Sequence, residues 1–188
     1  IMDDKPTHRL GGLPNVAVNM DRLADEGVLF TNFYANSFRT DRGLAAILGA
    51  YPAQPTTSIM KYPKKVDSLP MWTRQLRNEG YDLAYFYGGD ADFTGMRSFL
   101  VTGGFDRITS DQDFPLKYKL SKWGVPDQYV FDRALADIKS QAPNATHLSV
   151  IQTSSSHEPY DVPFKKLNNK ILNAFAYTDN CLGKFVAA

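Results

Sequence analysis

A short polar turn from Arg39 to Arg42 carries the residues of this sequence that are best suited to chemistry. The preceding residues 28–34 are apolar and rich in β-branched and aromatic side chains, which predicts a buried strand. Thr40 then begins an apolar helix that we expect to end near Gly49. Free N–H groups at a helix start bind anions, and the arginines add partners for phosphate or sulfate oxygens. The turn is therefore a candidate anion site, and the alternative is that Thr40 only caps the helix.

Two further polar clusters follow predicted strands. A strand over residues 82–87 runs into Gly88, Gly89 and Asp90, and a strand over residues 147–153 runs into a segment that contains His157. The carboxyl ends of parallel strands meet at one edge of a sheet, so we expect all three clusters to converge there. The ordinary alternatives are that the glycines form a turn, that Asp90 caps a helix, and that His157 is a surface histidine.

The rest of the chain alternates helices with strands, which predicts a three-layer αβα fold with a largely parallel sheet. An extended segment is expected over residues 1–14 and a long proline-rich loop over residues 51–66. Asn15 is a candidate N-cap for the first helix. The further predicted elements are helices over residues 15–27, 68–79, 93–101, 126–142 and 168–186, and a short strand over residues 105–108.

Composition limits the class of protein. The length of 188 residues fits one domain, and a hydrophobic content of 43% indicates a globular chain. The net charge of +1 argues against a nucleic-acid partner. A single cysteine excludes an internal disulfide framework. No apolar run approaches the ~18 residues of a membrane span, so we expect any membrane anchor to lie outside this chain.

Residues 20–35, with the polar turn and the alanine-rich helix that follow, resemble the nucleophile region of the sulfatase and alkaline-phosphatase superfamily. Sulfatases there carry a cysteine or serine followed by x-Pro-x-Arg, which is converted to formylglycine. Ser37 begins the sequence Ser-Phe-Arg-Thr-Asp-Arg without that proline, and Cys181 is far away. A threonine in the turn is similar to the lipoteichoic-acid-synthase-like branch, which moves phosphoglycerol or related groups from membrane lipids. The resemblance thus implies that Thr40 is the nucleophile.

The resemblance extends to the other two clusters. His157-Glu158-Pro159-Tyr160 resembles a family motif, (Ser/Asn)-His-x-Pro-(Phe/Tyr), whose histidine contacts phosphoryl oxygens or the leaving group. In the family's head-group segment this chain keeps a glycine and Phe93 but has Tyr87 in place of a histidine and Thr94 in place of a tryptophan. Arg97 lies one residue beyond the family's arginine. We therefore expect an altered head-group pocket. Residues 123–127 resemble a Gly-x-x-Asp segment, interpreted as structural.

The superfamily also implies a divalent metal, Mn²⁺ or Mg²⁺, in the full-length enzyme. Its ligands include an acidic residue before the nucleophile and a distal Asp-His pair, and neither pattern occurs here. Residues 1–188 are therefore interpreted as the central part of one catalytic domain, with Thr40 as their single metal ligand. We expect this chain to bind no metal tightly and to be inactive alone.

The resulting hypothesis is metal-dependent phosphoryl transfer of a phosphoglycerol-type head group from a membrane lipid to an acceptor. Thr40 and His157 are the expected catalytic residues, and the expected substrate-binding residues are Arg39, Arg42, Tyr87, Asp90 and Arg97. Two alternatives stay open, a sulfatase of the same fold and an inactive binding module for anionic glycans or lipid head groups. The enzyme is expected on the extracytoplasmic face of a bacterial membrane, and the sequence indicates no oligomeric state.

Overall fold

The computed structural model describes residues 6–188. Its strands are β1 (Asp82–Tyr87), β2 (Arg107–Thr109) and β3 (His147–Gln152). Its α-helices are α1 (Val18–Glu26), α2 (Thr40–Gly49), α3 (Pro63–Val66), α4 (Trp72–Asn78), α5 (Met96–Thr102), α6 (Asp127–Ser140) and α7 (Lys170–Val186). Short 3₁₀ helices occur at His8–Leu10, Ile59–Lys61, Phe93–Gly95, Asp111–Asp113 and Leu116–Tyr118.

The three strands form one parallel sheet in the order β2-β1-β3. Tyr87 pairs with Gln152, so the carboxyl ends of β1 and β3 lie side by side. Phe86 pairs with Thr109 on the other flank. The segments that follow these strands therefore leave the same edge of the sheet, as predicted for the clusters after β1 and β3.

Both faces of the central strand are covered by helices. Leu83, Tyr85 and Tyr87 belong to one core together with residues of α2, α4 and α5, whereas Ala84 and Phe86 pack with α6. This alternation follows from the two-residue period of a strand, and both sets are hydrophobic because both faces are buried. The αβα arrangement and the parallel sheet are confirmed.

The prediction of a buried strand over residues 28–34 is wrong. These residues form no strand, and Val28, Phe30 and Tyr34 are 81%, 74% and 80% exposed. A strand requires a neighbouring strand to satisfy its backbone N–H and C=O groups, and within residues 6–188 the sheet consists of β1, β2 and β3. The apolar sequence therefore has β-strand composition but no strand partner in the part of the chain that is described.

The start of α1 also differs from its prediction. Asn15 has φ 67° and is not the cap, because the helix begins at Val18. The cap comes instead from α7, where the buried Asp179 carboxylate accepts hydrogen bonds from the backbone N–H groups of Asn19 at 3.0 Å and Met20 at 2.8 Å. A carboxylate at this position also complements the positive end of the helix dipole.

Two segments predicted to be irregular have local helical structure. Residues 51–66 contain the 3₁₀ helix Ile59–Lys61 and α3, which bury Ile59, Met60 and Val66. Their apolar side chains explain the order of a segment that has no sequence periodicity. Of the predicted extended segment over residues 1–14, residues 1–5 lie outside the described structure and the rest includes the 3₁₀ helix His8–Leu10.

The remaining predicted elements are present with shifted ends. The helix expected over residues 93–101 is a 3₁₀ helix followed by α5, because Thr94 adopts a left-handed conformation. The short strand occurs at Arg107–Thr109, and the helix expected from residue 68 begins at Trp72, after Pro70. No helix within residues 6–188 is both long and apolar enough to cross a membrane.

Candidate active site

The turn after β1 is hydrogen-bonded to the segment that precedes α6 and packs closely against it. The carbonyl oxygen of Gly88 accepts a hydrogen bond from the N–H of Val125 at 2.9 Å, and the carbonyl of Gly89 accepts one from Asp111 at 3.0 Å. Gly124 has φ +95°, and a β-carbon there would lie 1.7 Å from the Gly88 oxygen. A β-carbon on Gly88 would lie 2.6 Å from the Val125 oxygen. The two backbones approach so closely that only glycine fits at these positions.

The turn after β3 is held by Asp127, the first residue of α6. Its buried carboxylate accepts hydrogen bonds from the N–H groups of Ser154 at 2.8 Å and Ser155 at 3.1 Å, and from the Thr178 hydroxyl at 2.7 Å. The Ser155 hydroxyl accepts in return from the Asp127 N–H at 2.9 Å. A buried carboxylate with several donors is a rigid anchor, so it fixes the backbone that leads to His157.

Trp123 joins the two turns. Its ring lies 4.3 Å from the His157 ring, and its indole N–H donates to the Glu158 carbonyl at 2.6 Å. On the other side Phe93 meets Trp123 edge-on, with ring centroids 6.4 Å apart. The indole thus connects the segment after β1 with the segment after β3. The aromatic contact was not predicted, because residues 123–127 were interpreted as structural.

Two predicted substrate-binding residues lie in the segment after β1. The Asp90 carboxylate accepts a hydrogen bond from the N–H of Asp92 at 2.8 Å, an Asx-type turn contact. The Arg97 Nε donates to Asp92 at 2.8 Å, and a terminal nitrogen of the same guanidinium donates to the Ser110 hydroxyl at 3.2 Å. Arg97 is thus held at the carboxyl edge of the sheet and is only partly exposed.

Tyr87, the last residue of β1, is only 6% exposed. Burial raises the pKa of its phenol to about 12, and the negative charges of Asp90 and Asp111 add to this effect. The hydroxyl therefore keeps its proton at physiological pH and can act as a neutral hydrogen-bond donor. It cannot supply the positive charge that a histidine at this position could supply.

Thr40 is exposed and is the first residue of α2. The N-cap is Arg39, and no side chain caps this helix start. Within residues 6–188 the Thr40 hydroxyl has no hydrogen-bond partner in the structure, so the alternative in which it serves as a cap receives no support. The hydroxyl lies beside the unpaired N–H groups of the first turn, where negative charge is stabilised.

The two arginines next to Thr40 already have partners in this chain. The Arg39 guanidinium lies 3.7 Å from the Asp41 carboxylate, and Arg42 donates to the Pro55 carbonyl at 2.8 Å. The Arg39–Asp41 pair is solvent-exposed on the arginine side and is therefore weak enough to rearrange for an anion. The role of both arginines in substrate binding stays a prediction.

The structure joins the clusters after β1 and β3 directly but not Thr40 and His157. Within residues 6–188 no hydrogen bond, ion pair or ring contact connects these two side chains. Helix α2 packs on the 3₁₀ helix Ile59–Lys61, which in turn packs on Phe93–Gly95. Helix α2 is thus connected to the Phe93 and Trp123 rings only through an intermediate element within the described residues. The carboxyl edge of the sheet accounts for the position of His157 but not for that of Thr40, because residues 28–34 form no strand.

The described residues do not by themselves fit a divalent metal. Within residues 6–188 no group of three or more histidine, cysteine, aspartate or glutamate side chains is placed to hold a metal ion. Near Thr40 the carboxylate of Asp41 faces Arg39. Hard cations such as Mg²⁺ or Mn²⁺ require several oxygen ligands, and a single hydroxyl does not meet that requirement.

Comparisons with known proteins identify the class of protein. The family model named Sulfatase matches residues 8–188, and the chain therefore belongs to the Sulfatase family. The phosphoglycerol transferase I of Xanthomonas axonopodis pv. citri is 26% identical over an alignment of 200 positions, gaps included, that covers 93% of this chain and 28% of the relative. The same protein of Xanthomonas euvesicatoria pv. vesicatoria is 24% identical with the same coverage. The chain thus spans under a third of these relatives.

Solved structures agree with the fold. A protein of the alkaline phosphatase superfamily from Vibrio parahaemolyticus superposes with a TM-score of 0.86 at 30% identity, over 99% of this chain and 47% of that one. The lipoteichoic acid synthase LtaP from Listeria monocytogenes superposes with a TM-score of 0.82 at 19% identity, over 98% and 48% of the two chains. The chain corresponds to about half of each structure. Its fold is that of the alkaline phosphatase superfamily.

Proposed function

We propose that this chain is the central part of the catalytic domain of a phosphoryl-transfer enzyme, and that Thr40 is the nucleophile. The proposal rests mainly on Thr40, which is exposed and is the first residue of α2. Its hydroxyl does not cap the helix. The Xanthomonas relatives, which are phosphoglycerol transferases, support a phosphoglycerol-type head group as the transferred group. The absence of a Cys/Ser-x-Pro-x-Arg pattern argues against formylglycine chemistry.

In the first half of the reaction the Thr40 oxygen attacks phosphorus and its proton passes to water. The bond between phosphorus and the lipid oxygen breaks, and protonated His157 gives its proton to that leaving oxygen. The product is a phosphodiester between Thr40 and the head group. The N–H groups at the start of α2 stabilise the negative charge that develops on the phosphoryl oxygens.

In the second half an acceptor hydroxyl attacks phosphorus and gives its proton to neutral His157. The bond from phosphorus to the Thr40 oxygen breaks, and that oxygen recovers a proton from water. A serine or threonine oxygen is sufficient for this route, because the intermediate is resolved by attack at phosphorus. Sulfate elimination from formylglycine requires an aldehyde hydrate, which threonine does not provide by the same route.

The remaining predicted residues have proposed roles as head-group contacts. Arg39 and Arg42 would bind phosphoryl oxygens at the start of α2, where Arg39 exchanges its weak pair with Asp41 for the substrate. Tyr87, Asp90 and Arg97 would contact the glycerol part from the segment after β1, with Tyr87 as a neutral donor. These contacts require one substrate molecule to reach both the start of α2 and the segment after β1.

Members of this superfamily are generally metal-dependent. A bound Mn²⁺ or Mg²⁺ would lower the pKa of the nucleophilic hydroxyl and neutralise phosphoryl charge. The described residues do not form a metal site. We therefore propose that the intact protein has its other metal ligands in segments that correspond to the parts of the relatives not covered by this chain. We also propose a membrane-anchored enzyme with an extracytoplasmic catalytic domain and a lipid substrate.

The choice between phosphorus and sulfur is directly testable. The intact protein, assayed with Mn²⁺, is expected to release head group from a fluorescent phosphatidylglycerol and to leave an aryl sulfate unchanged. Mass spectrometry of the quenched reaction should find a phosphoglycerol adduct on the peptide that contains Thr40. Rapid sulfate release with Thr40 unmodified would overturn the proposal in favour of a sulfatase. No turnover of either substrate with the metal bound would favour a binding module.

A further inference from the structure

Two ring nitrogens lie within hydrogen-bond distance of the Glu158 carbonyl oxygen. The Trp123 indole N–H donates to it at 2.6 Å, and the Nδ1 of His157 lies 2.9 Å from the same oxygen. A carbonyl oxygen can only accept, so the second contact is a hydrogen bond only when the Nδ1 of His157 carries the proton. In the neutral ring the Nε2 of His157 is then unprotonated and presents a lone pair.

The indole also covers one side of the imidazole. The two ring centroids are 4.3 Å apart with an interplanar angle of 47°, and the edge-on contact of Phe93 supports Trp123 from the segment after β1. The charged groups near the pair include Lys122, whose Nζ lies 5.2 Å from the Trp123 ring centroid, and Asp161, which lines a small pocket together with Trp123 and His157. Both rings are thus oriented by contacts from two segments.

We propose that Trp123 is a positioning residue that sets the tautomer of His157. Its indole N–H anchors the Glu158 carbonyl, and the anchored carbonyl holds the imidazole proton on Nδ1. The Nε2 atom is thereby left to exchange protons with bound substrate. This last consequence rests on the proposed function: one atom, Nε2, gives a proton to the leaving oxygen and accepts one from the acceptor hydroxyl. The tautomer itself can be measured without turnover.

The test uses nitrogen NMR of the 188-residue chain near pH ~8.5, a pH at which free histidine is neutral. The ring nitrogen shifts report which nitrogen of each histidine is protonated. The chain has three histidines, His8, His147 and His157. His8 also approaches a carbonyl, that of Gly12 at 3.2 Å, without a tryptophan anchor, and exposed His147 has no side-chain hydrogen bond within the described residues. These two serve as internal references.

Wild-type His157 is expected to be mainly in the Nδ1–H form, whereas His147 shows the ordinary mixture of free histidine. Trp123→Phe keeps a ring against the imidazole but removes the N–H donor. The Nδ1–H to Nε2–H ratio of His157 should then fall by about fivefold, the effect of one net hydrogen bond. Trp123→Ala should lower the ratio at least as far, and His147 should be unchanged in both variants.

The second tryptophan provides a matched control. Trp72 makes the same kind of bond, from its indole N–H to the Ile47 carbonyl at 2.7 Å. Trp72→Phe should therefore leave the tautomer of His157 as it is. The proposal is overturned if wild-type His157 is mainly in the Nε2–H form, if Trp123→Phe keeps the wild-type ratio, or if Trp72→Phe changes it equally. None of these results bears on whether Thr40 is a nucleophile, so the two proposals fail separately.

Discussion

Among single residues, the proposed chemistry depends on a hydroxyl and an imidazole that the fold leaves accessible. Both Thr40 and His157 are exposed, whereas Tyr87 between them in sequence is buried. Threonine is a common helix cap, so its position at the start of α2 would be unremarkable if its side chain closed the helix. The cap position belongs to Arg39, and this leaves the Thr40 hydroxyl without a structural role.

Thr40→Ala is expected to abolish turnover of the intact protein while changing the free energy of unfolding by no more than about 0.5 kcal/mol, because no cap bond is lost. Thr40→Ser keeps the hydroxyl and should retain measurable activity. The measurements are head-group release from phosphatidylglycerol and urea unfolding of each variant. An active and stable Thr40→Ala protein would remove Thr40 from the mechanism.

His157→Ala should lower the rate of the intact enzyme by about 10²–10⁴-fold, the usual effect of losing a positioned acid or base. Its imidazole is exposed and packs on Trp123, so the fold should lose little stability. His147→Ala is the matched control, since this exposed histidine lies at the opposite end of β3. Equal losses for both variants would contradict a catalytic role for His157.

At the scale of elements the site is built by three segments that meet at the carboxyl ends of β1 and β3. The turn after β1 accepts backbone hydrogen bonds from residue 125, and the turn after β3 is held by the buried Asp127 at the start of α6. The segment that leads into α6 therefore fixes both turns at once. Small residues are required where the backbones touch, and Gly124 is the tightest contact.

Gly124→Ala should destabilise the chain by about 3 kcal/mol or more, because it combines a strained φ with a β-carbon 1.7 Å from the Gly88 oxygen. Gly80→Ala is the control, since Gly80 has φ +89° but nothing within 4 Å of an added β-carbon. Its cost should be limited to about 1–2 kcal/mol of backbone strain. Urea unfolding at equilibrium compares the two. Equal costs would show that the contact between the turns is unimportant.

As a whole molecule, the chain has a folded α/β core but covers only part of the length of its relatives. It corresponds to 47% of the Vibrio structure and 28% of the Xanthomonas transferase. The exposed apolar side chains of residues 28–38, among them Phe30, Phe33 and Phe38, show that this region buries little within the described residues. The proposed metal site also concerns the whole molecule, because a hard cation requires several oxygen ligands and Thr40 would supply only one.

Isothermal titration of the 188-residue chain with Mn²⁺ is expected to show no tight stoichiometric site, because residues 6–188 place no cluster of acidic or histidine ligands around Thr40. The intact protein should bind the same ion tightly, and Thr40→Ala should weaken that binding. A tight site in the isolated chain that survives Thr40→Ala would contradict both the single-ligand interpretation and the role of Thr40 in holding the metal.

Elements that depend only on neighbouring residues in the chain could be predicted from the sequence alone. The apolar run over residues 82–87 and the turn glycines after it identified β1, and the apolar pattern over residues 168–186 identified α7. The proposal that Thr40 is the nucleophile also rests on a local motif. Parallel strands share one carboxyl edge, so the neighbourhood of residues 88–90 and His157 could be predicted without coordinates.

Tertiary structure decided what depends on distant partners. Residues 28–34 have the composition of a strand, but a strand exists only where another strand satisfies its backbone, and none of the described residues does so. Asp179 caps a helix 160 residues away, and Trp123 contacts a histidine that follows it by 34 positions. Such contacts depend on how the layers of the fold pack, which no local pattern encodes. They hold His157 in place but do not include Thr40.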